Sequence, residues 1–327
     1  MERTRIGLVG AGAVGRRHAK VLTAFPDVEL VAVADVDRDS AASLAAALGA
    51  SAYPSAEALV GEERLDAVYV CVPPFAHGPP ERAALAANLP FFVEKPLAAD
   101  WETAATLAEQ VAEAGVVTAA GYHWRHLDTV ERAAELLADN PPRLVIGYWL
   151  DKVPPPAWWL DRDRSGGQTI EQATHVLDLI RVLAGEVDGV YAAASRAERA
   201  AFPGATVDDV SAATLRFRSG AVGSLVATCL LAAKHRAGLE LFADGLTLAL
   251  SELDLALDRG SGATVTPAAV DAKRQVDRDF VNAVRGGPDR VRVDYAEALE
   301  THRLACALAR SAQLGEAVEL ETAELGV

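Results

Sequence analysis

One lysine stands directly after a buried apolar run. The stretch Phe91-Phe92-Val93 is predicted to form a short strand, and Glu94, Lys95 and Pro96 follow it. A charged group beside an apolar run costs free energy unless it is paired or used. A lysine at a strand end can hydrogen-bond a substrate oxygen and stabilise the negative charge that develops there. The plainer alternative is a lysine that extends to solvent and pairs with Glu94.

A second group of polar residues has helical spacing. Glu171, His175 and Asp178 stand at positions i, i+4 and i+7, which share one face of a helix. The pattern predicts a helix from about 169 to 183, after a break at Gly166-Gly167, with apolar residues on its other side. Histidine titrates near neutrality and can exchange a hydroxyl proton, and Glu171 or Asp178 can orient its ring. A solvated helix face gives the same pattern, so both interpretations stay open.

Aromatic and basic residues near these groups are further candidates. Trp158 and Trp159 precede the two glycines and can shield a site from water or stack on a sugar ring, although tryptophan is more often a core residue. His123 and His126 have a spacing that a metal site can use. No carboxylate or thiol cluster joins them, so we expect a turn at a domain junction and no metal.

A glycine-rich turn near the N-terminus predicts a dinucleotide site. The sequence Gly10-Ala11-Gly12-Ala13-Val14-Gly15 follows a strand at 6–9 and precedes a helix that begins near Val14. In such a motif the glycines permit a tight turn, a close approach of the pyrophosphate to the backbone, and close packing of helix on strand. The pyrophosphate then binds at the helix N-terminus. We expect cofactor contacts from Gly10, Gly12, Ala13, Val14 and Gly15.

The second predicted strand ends on Asp35, and this residue bears on the choice of dinucleotide. It lies twenty residues after Gly15, where a carboxylate can accept hydrogen bonds from the ribose hydroxyls. A carboxylate there repels a 2′-phosphate, which favours NAD over NADP, whereas Arg38 can pair with such a phosphate. The alternative is an α/β domain in which the glycines only shape a turn.

Two later strands are expected to end at the same edge of the sheet. The third predicted strand ends at Pro73 and Pro74, which cannot continue a ladder and place the chain at the carboxyl edge, where ligands of this fold bind. His77, in the same loop, is expected either to flank the nicotinamide or to cap a helix. Glu94 and Lys95 arrive at this edge from the fourth strand and are further candidate cofactor contacts.

The order of apolar and helical patterns predicts two domains. From residue 5 to about 121, apolar strands alternate with Ala-rich helices, which predicts an α/β domain with a doubly wound parallel sheet. A helix over 128–137 and consecutive strands joined by short turns then predict an α+β domain with an antiparallel sheet. The predicted strands lie near 143–150, 189–195, 209–218, 221–230 and 238–250. We assign residues 1–122 to dinucleotide binding and 123–327 to substrate binding and oligomerisation.

Composition narrows the possible partners. The 327 residues are 51% hydrophobic with a formal net charge of −15, which is typical of a globular protein and argues against a nucleic-acid partner. No apolar stretch reaches the length of a membrane span, so no membrane partner is expected. Cys71, Cys229 and Cys306 are far apart and odd in number, which favours a reducing, cytoplasmic location.

Several of these motifs together resemble a known family. The glycine-rich turn with Asp35, the Glu94-Lys95-Pro96 tripeptide, and the Gly-Gly turn leading to His175 and Asp178 resemble the glucose-fructose oxidoreductase, inositol dehydrogenase and rhizopine-catabolism family (Gfo/Idh/MocA). The likeness covers nearly the whole chain. It implies an N-terminal Rossmann domain and a C-terminal α+β domain with an open, mostly antiparallel sheet. Final helices at 273–286 and 294–313 would return toward the first domain.

The resemblance also implies a reaction. Members oxidise a ring hydroxyl or reduce a ketone on sugars, cyclitols and related molecules with NAD or NADP. Lys95 matches the lysine that binds the reacting oxygen, and His175 matches the general acid/base. Glu171 stands where the family often has aspartate, and Gln168 replaces a common third glycine. Trp124 and Arg125 are candidate substrate contacts.

Two other functions and one assembly are also consistent with the sequence. An enzyme of this fold can retain NAD and cleave a glycosidic bond through transient oxidation, and a non-catalytic protein can bind NAD as a sensor. Strands such as 223–233 are apolar on more than one side. We therefore predict a homodimer or homotetramer through the C-terminal sheet.

Overall fold

The computed structural model describes residues 3–321 and residue 325. The first part of the chain contains β1 (Thr4–Val9), α1 (Ala13–Leu22), β2 (Val28–Ala34), α2 (Arg38–Leu48), β3 (Ser51–Tyr53), α3 (Ala56–Glu62), β4 (Ala67–Val70), α4 (Pro79–Ala86), β5 (Phe91–Val93), α5 (Trp101–Ala114) and β6 (Thr118–Ala120). The remainder contains α6 (Asp128–Leu137), β7 (Leu144–Leu150), α7 (Arg162–Ser165), α8 (Gln168–Glu171), α9 (Thr174–Ala184), β8 (Val187–Ser195), β9 (Val210–Phe217), β10 (Val222–Thr228), β11 (Arg236–Ala243), β12 (Leu246–Ser251), β13 (Asp254–Asp258), β14 (Thr264–Pro267), α10 (Ala272–Val284), α11 (Tyr295–Leu314) and β15 (Val318–Glu319).

These elements form two compact units. The first unit comprises Met1–Ala98, Thr103–Tyr122 and Lys273–Leu299, and the second comprises Ala99–Glu102, His123–Ala272 and Glu300–Val327. The first unit thus extends beyond residues 1–122, because a late segment of the chain packs into it. This segment contains the whole of the predicted helix at 273–286, which is observed as α10 (Ala272–Val284).

The first unit is built on a six-stranded sheet in the order β3-β2-β1-β4-β5-β6. Every pair in it is parallel. This is the strand order of a Rossmann fold, and it confirms the predicted parallel sheet. The strand that the sequence did not predict is β3, whose three residues are exposed or half-buried and so carry no apolar signal.

The core of the first unit explains why α10 belongs to it. Strand β4 is buried along its whole length, as expected for a strand covered by helices on both faces. From α10, Phe280 packs edge-on against Tyr69 and Phe92, with ring centroids 5.5 and 5.9 Å apart. Val276 and Val281 join the same cluster. The apolar stripe of this helix therefore completes one face of the parallel sheet.

The second unit contains a nine-stranded sheet in the order β14-β13-β12-β11-β7-β10-β9-β8-β15. Its pairs are antiparallel except for β10 with β7, so the predicted open, mostly antiparallel sheet is confirmed. The strand predicted near 238–250 is a hairpin of β11 and β12. Gly245, with φ +64°, makes its turn, since few other residues adopt that conformation readily.

One face of this sheet carries the core of the second unit. Helix α9 packs on β7, where a Cβ at Gly147 would lie 2.9 Å from side-chain carbons of both Val176 and Ile180. A glycine is therefore needed for this close approach. On the other face, Leu144, Tyr191 and Val222 are 40%, 50% and 50% exposed. We refer to this second side, represented by those three residues, as the outer face of the sheet.

Three features of the structure concern membranes, metals and thiols. Within residues 3–321 and 325, no helix is both long and apolar enough to cross a membrane. The same residues contain no group of three or more His, Cys, Asp or Glu side chains placed to hold a metal ion. Cys71, Cys229 and Cys306 are buried, free thiols.

Candidate functional site

The carboxyl edge of the parallel sheet brings together the first set of predicted site residues. Strands β1, β2, β4 and β5 run parallel and end at the same edge. They are followed, respectively, by Gly10, Asp35, Cys71 and Glu94. The glycine-rich turn, the acidic residue, the proline loop and Lys95 thus all begin at one edge, as the sequence predicted.

The geometry of the glycine-rich turn fits a pyrophosphate. Gly10 has φ +101°, and a Cβ there would lie 2.3 Å from the Cys71 carbonyl oxygen. A Cβ at Gly15 would lie 1.9 Å from the Gly10 oxygen, so both positions need glycine. Around Gly12 no heavy atom lies within 4 Å of such a Cβ, which leaves space for a ligand. The following helix α1 has no side-chain cap at its N-terminus, where backbone N–H groups favour an anion.

Asp35 is fixed beside this turn. Its Oδ2 accepts the N–H of Ala11 at 2.7 Å, and its Oδ1 accepts the N–H of Asp37 at 2.9 Å. Each carboxylate oxygen keeps a further lone pair, so ribose hydroxyls can still donate to it. Arg38, at the start of α2, is exposed. The arrangement supports both predicted roles of Asp35, in ribose binding and in repulsion of a 2′-phosphate.

The loop after β4 has a more structural role than the sequence suggested. His77 is buried, and its Nδ1 lies 2.6 Å from Glu81 Oε1, while Glu81 Oε2 accepts the Gly78 N–H at 2.7 Å. His77 therefore stands just before α4, whose N-cap is Gly78, and its ring contacts the Glu81 side chain instead of capping a backbone N–H. Its Nε2 has no hydrogen-bond partner among the described residues. Pro73 is half-buried and Pro74 is buried in the same loop.

Lys95 is half-buried, and its peptide is held by the residue before it. Its backbone N–H donates to Glu94 Oε2 at 3.1 Å. Glu94 Oε1 accepts from Arg17 at 2.6 Å and lies 2.9 Å from His18 Nε2. The carboxylate predicted to contact the cofactor is therefore buried and engaged by protein groups. Sequence reasoning missed His18, although a histidine one turn after Gly15 on the buried side of α1 was an available signal.

The predicted helix over 169–183 is interrupted. Residues Gln168–Glu171 form α8 and Thr174–Ala184 form α9, so Glu171 does not share a continuous helix with His175 and Asp178. The short helix is anchored by Gln168, whose Nε2 donates to the Thr228 carbonyl at 2.7 Å. The chain break before α8 lies at Gly166-Gly167 as predicted, since these residues have φ values of +74° and +82°.

His175 lies in a cluster of rings that we call the aromatic cluster, formed by His123, Trp124, Trp149 and His175. The His175 ring is stacked on Trp124, with centroids 5.5 Å apart, and on Trp149 at 6.3 Å. It meets His123 edge-on at 5.0 Å. His175 is 6% exposed, which excludes the solvated-face interpretation. Trp149 was not predicted, because a tryptophan inside an apolar strand has the same pattern as a core residue.

Two further side chains contact the aromatic cluster. The Lys234 ammonium lies 4.5 Å from the centre of the Trp149 ring, which is a cation–π geometry. Glu252 Oε1 lies 3.3 Å from His123 Nε2. Neither residue was predicted, since both come from turns far along the chain from His175.

Asp178 has a different role from the predicted one. Its Oδ2 accepts from Arg125 Nε at 2.8 Å, and its Oδ1 accepts from Arg125 Nη2 at 2.7 Å and from Thr301 Oγ1 at 3.0 Å. It therefore holds Arg125 and does not orient His175. Burial raises the pKa of Asp178, and the guanidinium opposes this by favouring the ionised form. The guanidinium of Arg125, which was predicted to contact the substrate, instead donates two hydrogen bonds to Asp178.

The two adjacent tryptophans differ from each other. Trp159 is fully buried against Val207 and Cys229, and its Nε1 donates to Glu171 Oε2 at 2.9 Å. Its predicted stacking on a sugar ring does not fit this core position, and the indole instead fixes the Glu171 carboxylate. Trp158 is half-buried and packs against the group formed by Trp159, Val207 and Cys229.

The fold and the first site define a class of protein. A parallel sheet with a glycine-rich turn, an acidic residue and a lysine at one edge is the arrangement of a dinucleotide-dependent oxidoreductase. Residues 4–122 match the family model described as "Oxidoreductase family, NAD-binding Rossmann fold", and residues 141–248 match "GFO/IDH/MocA C-terminal domain". These stretches make up more than half of the chain. The chain belongs to the Gfo/Idh/MocA family, so the predicted family is confirmed.

Individual relatives agree with this assignment. D-xylose 1-dehydrogenase (NADP(+)) 2 of Haloferax volcanii is 28% identical over 96% of this chain and 99% of its own length. Myo-inositol 2-dehydrogenase of Thermotoga maritima is 31% identical over 67% of this chain and 66% of its own. A levoglucosan dehydrogenase in complex with NADH and levoglucosan has the same fold, with a TM-score of 0.87, 20% identity, and coverage of 98% of this chain and 100% of that one. The chain is an NAD(P)-dependent oxidoreductase, as predicted.

Proposed function

We propose that the protein oxidises a hydroxyl-bearing carbon of a sugar or cyclitol, or reduces the corresponding ketone. Nicotinamide supplies the hydride acceptor or donor when it is bound. The observation that carries the proposal is the shared sheet edge, where the glycine-rich turn, Asp35 and Lys95 meet. Relatives named as dehydrogenases of D-xylose and myo-inositol support this class of substrate.

In the proposed reaction, Lys95 and His175 have different roles at the reacting hydroxyl. In the oxidation, the carbon loses a hydride and the oxygen loses a proton, which leaves a ketone, the reduced dinucleotide and one proton. Lys95 binds the oxygen and stabilises its developing negative charge. His175 takes the proton, and returns it in the reverse direction. Its stacked position in the aromatic cluster supports this role, because the ring is held in one orientation.

We further propose NAD as the preferred dinucleotide. The carboxylate of Asp35 is anchored beside the turn and repels a 2′-phosphate, and Asp37 and Asp39 add negative charge at the start of α2. Arg38 is the single cation in this short stretch. An Asp35→Ser variant is expected to gain affinity for NADPH relative to NADH, by about tenfold for each 1.4 kcal/mol of repulsion removed.

A screen with matched variants tests the reaction. NAD and NADP reduction is measured over D-xylose, other aldoses, sugar acids, aminosugars and myo-inositol, and ketone reduction is measured with NADH. Lys95→Met is expected to lower kcat by about 10²–10³-fold. His175→Asn is expected to lower it by about 10²–10⁴-fold. Lys20→Met and His235→Asn change exposed residues of the same types and serve as controls.

The outcomes separate the competing functions. Wild-type kcat in either Lys95→Met or His175→Asn contradicts the proposed roles. Cleavage of a glycoside without net NADH formation identifies the NAD-retaining enzyme instead. Tight NADH binding with no turnover of any compound in either direction identifies the sensor.

We also propose that two or four copies of the chain associate through the outer face of the nine-stranded sheet. Large apolar side chains are exposed there, namely Leu144, Tyr191 and Val222. Tyr148 lies on the same side, with the Arg236 guanidinium 4.0 Å from its ring centre. An uncovered apolar sheet face of this kind is typical of an interface between copies.

Light scattering of the purified chain at micromolar concentration tests this assembly. The wild type is expected to have the mass of a dimer or a tetramer, and Val222→Asp to shift it toward the monomer because a charge would be buried at the interface. Leu253→Asp is the control, since Leu253 is 74% exposed in the turn before β13. A monomeric wild type contradicts the proposal.

A further inference from the structure

A buried charge network lies behind Lys95 in the first unit. It consists of Arg17, His18, Glu94 and Asp277. His18 lies between two carboxylates, with Nε2 at 2.9 Å from Glu94 Oε1 and Nδ1 at 2.8 Å from Asp277 Oδ1. Arg17 contributes the third contact, at 2.6 Å from Glu94 Oε1. A single imidazole thus links both acidic residues.

The network joins three elements that are distant in sequence. Arg17 and His18 belong to α1, Glu94 follows β5, and Asp277 belongs to α10. His18 and Asp277 are 2% and 0% exposed, so water does not compete for their hydrogen bonds. The rings of Tyr69 and Phe92 pack on His18 at 5.5 and 5.0 Å. The position of the imidazole is therefore set from all sides.

Electrostatics favour the charged forms of His18 and Glu94, whereas burial raises the pKa of Asp277 and His18 opposes that rise. Burial alone would lower the pKa of His18, but Asp277 and Glu94 outweigh it and raise the pKa to about 9. Burial alone would raise the pKa of Glu94, but His18 and Arg17 lower it to about 2. Two titratable groups of the same core stay neutral, because burial raises the pKa of Tyr69 and of Cys71 well above their ordinary values.

The network reaches Lys95 through one hydrogen bond. Glu94 uses Oε1 for Arg17 and His18, and its Oε2 accepts the backbone N–H of Lys95 at 3.1 Å. Gly121 leaves the space for this carboxylate, since a Cβ there would lie 2.6 Å from Glu94 Oε2. A rotation of the Glu94 side chain would release the peptide from which the lysine side chain projects.

Stability alone is a poor explanation for this arrangement. Replacing a buried ion pair by apolar residues of similar volume is often neutral or stabilising, because charges lose their hydration when they are buried. What such a network does well is fix geometry, since each buried charged group keeps its partners only in one arrangement of the side chains. The element whose geometry it fixes is the end of β5.

We propose that His18 and Asp277 are positioning residues for Lys95, acting through Glu94. His18 holds the Glu94 carboxylate in the orientation that binds the Lys95 peptide, and Asp277 holds His18. The inference rests on the proposed function of Lys95 as the group that binds the reacting oxygen. His18 and Asp277 contribute to that function without touching substrate or cofactor.

The test uses a signal of Lys95 that does not require turnover. The chain is produced with lysine labelled with ¹³C at Cε, and the Lys95 signal is assigned from its loss in Lys95→Arg. His18→Gln and Asp277→Asn are expected to shift this signal. Asp279→Asn removes a buried carboxylate from the same helix α10 and is expected to leave it unchanged.

Kinetics provide the second readout. With D-xylose or myo-inositol, whichever the wild type oxidises faster, Asp277→Asn is expected to lower kcat by about 10- to 100-fold, because a small displacement of a group at the reacting atoms has an effect of this order. The KM values for substrate and NAD are expected to stay near those of the wild type. If His18→Gln does not fold, Asp277→Asn carries the test, since it preserves the size of the side chain.

The outcomes separate the two proposals. An unmoved Lys95 signal in folded His18→Gln and Asp277→Asn overturns the positioning role, whatever the reaction is. An equal shift in Asp279→Asn also overturns it, because the effect would then come from any charge lost on α10. A shifted signal combined with full activity of Lys95→Met leaves the positioning intact and overturns the proposed function of Lys95.

Discussion

Lys95 and His175 are held by opposite kinds of interaction. The peptide of Lys95 is fixed by a buried network of charges, in which His18 lies 2.9 Å from Glu94 and 2.8 Å from Asp277. His175 is fixed by ring packing, with Trp124 and Trp149 stacked on it at 5.5 and 6.3 Å. The contacts that hold the Lys95 peptide therefore depend on ionised side chains, whereas the ring contacts of His175 depend on van der Waals packing.

The difference follows from what each residue has to do in the proposed reaction. A lysine that binds an oxygen needs a fixed backbone and a mobile ammonium group. The Glu94 carboxylate binds the backbone N–H of Lys95, so this hydrogen bond fixes the backbone and leaves the side chain mobile. A histidine that exchanges a proton needs a fixed ring, and stacked indoles fix the ring without adding a charge beside it. The two units should therefore respond differently to pH and to loss of a side chain.

The largest expected effect is on the aromatic cluster. Trp149 is 8% exposed, and Trp149→Ala is expected to lower the free energy of unfolding of the second unit by about 3–5 kcal/mol, through lost burial and the cavity that remains. All five tryptophans belong to the second unit, so the fluorescence of the remaining four during urea unfolding reports on it selectively.

Two controls show whether the loss of stability comes from ring packing at Trp149. Trp158→Ala removes a half-buried indole and is expected to cost less. The loss in Trp149→Ala is expected to change little between pH 6.5 and pH 9, because the indole that is removed carries no titrating group. A loss that grows with pH would show that the aromatic cluster depends on ionisation as well.

The next effect is the pH dependence of the first unit. The pKa of His18 is raised from 6.5 to about 9, so its contribution to stability is complete below pH 6.5 and is lost as the pH rises toward 9. The pKa of Glu94 is lowered from 4.5 to about 2, so its contribution is complete above pH 4.5 and is lost as the pH falls toward 2. Between pH 6.5 and 9 we expect a loss of up to about 3 kcal/mol.

Urea unfolding followed by circular dichroism at the two pH values measures this loss. His18→Gln has no titrating group at this position and is expected to lose much less between pH 6.5 and 9. The same pH slope in wild type and variant would mean that His18 is not the group responsible. The tryptophan signal of the second unit serves as an internal comparison, since it should change little over the same range.

The same contrast explains what the sequence could and could not predict. The glycine-rich turn and Asp35 were predictable because tight turns and strand ends need particular residues at fixed spacing. The partner of Asp178 was not, since Arg125 lies 53 positions away and a bidentate pair leaves no trace in helical periodicity. The break between α8 and α9 was also missed, because the spacing of Glu171, His175 and Asp178 is the same for one continuous helix and for two short ones.

The smallest expected effect tests whether charge contributes anything to the aromatic cluster. The ammonium of Lys234 lies 4.5 Å from the centre of the Trp149 ring, at an exposed position. Lys234→Met keeps the aliphatic stem and removes the charge, and should cost about 0.5–1 kcal/mol by tryptophan-monitored unfolding. Lys152→Met, at another exposed lysine of the same unit, is the control and should cost less. If the two variants lose equal stability, the charge of Lys234 contributes nothing to the cluster, and the contrast with the charge network is sharpened. A loss well above 1 kcal/mol would instead show that Lys234 is a necessary part of the cluster. Charged groups would then stabilise both the network around His18 and the aromatic cluster.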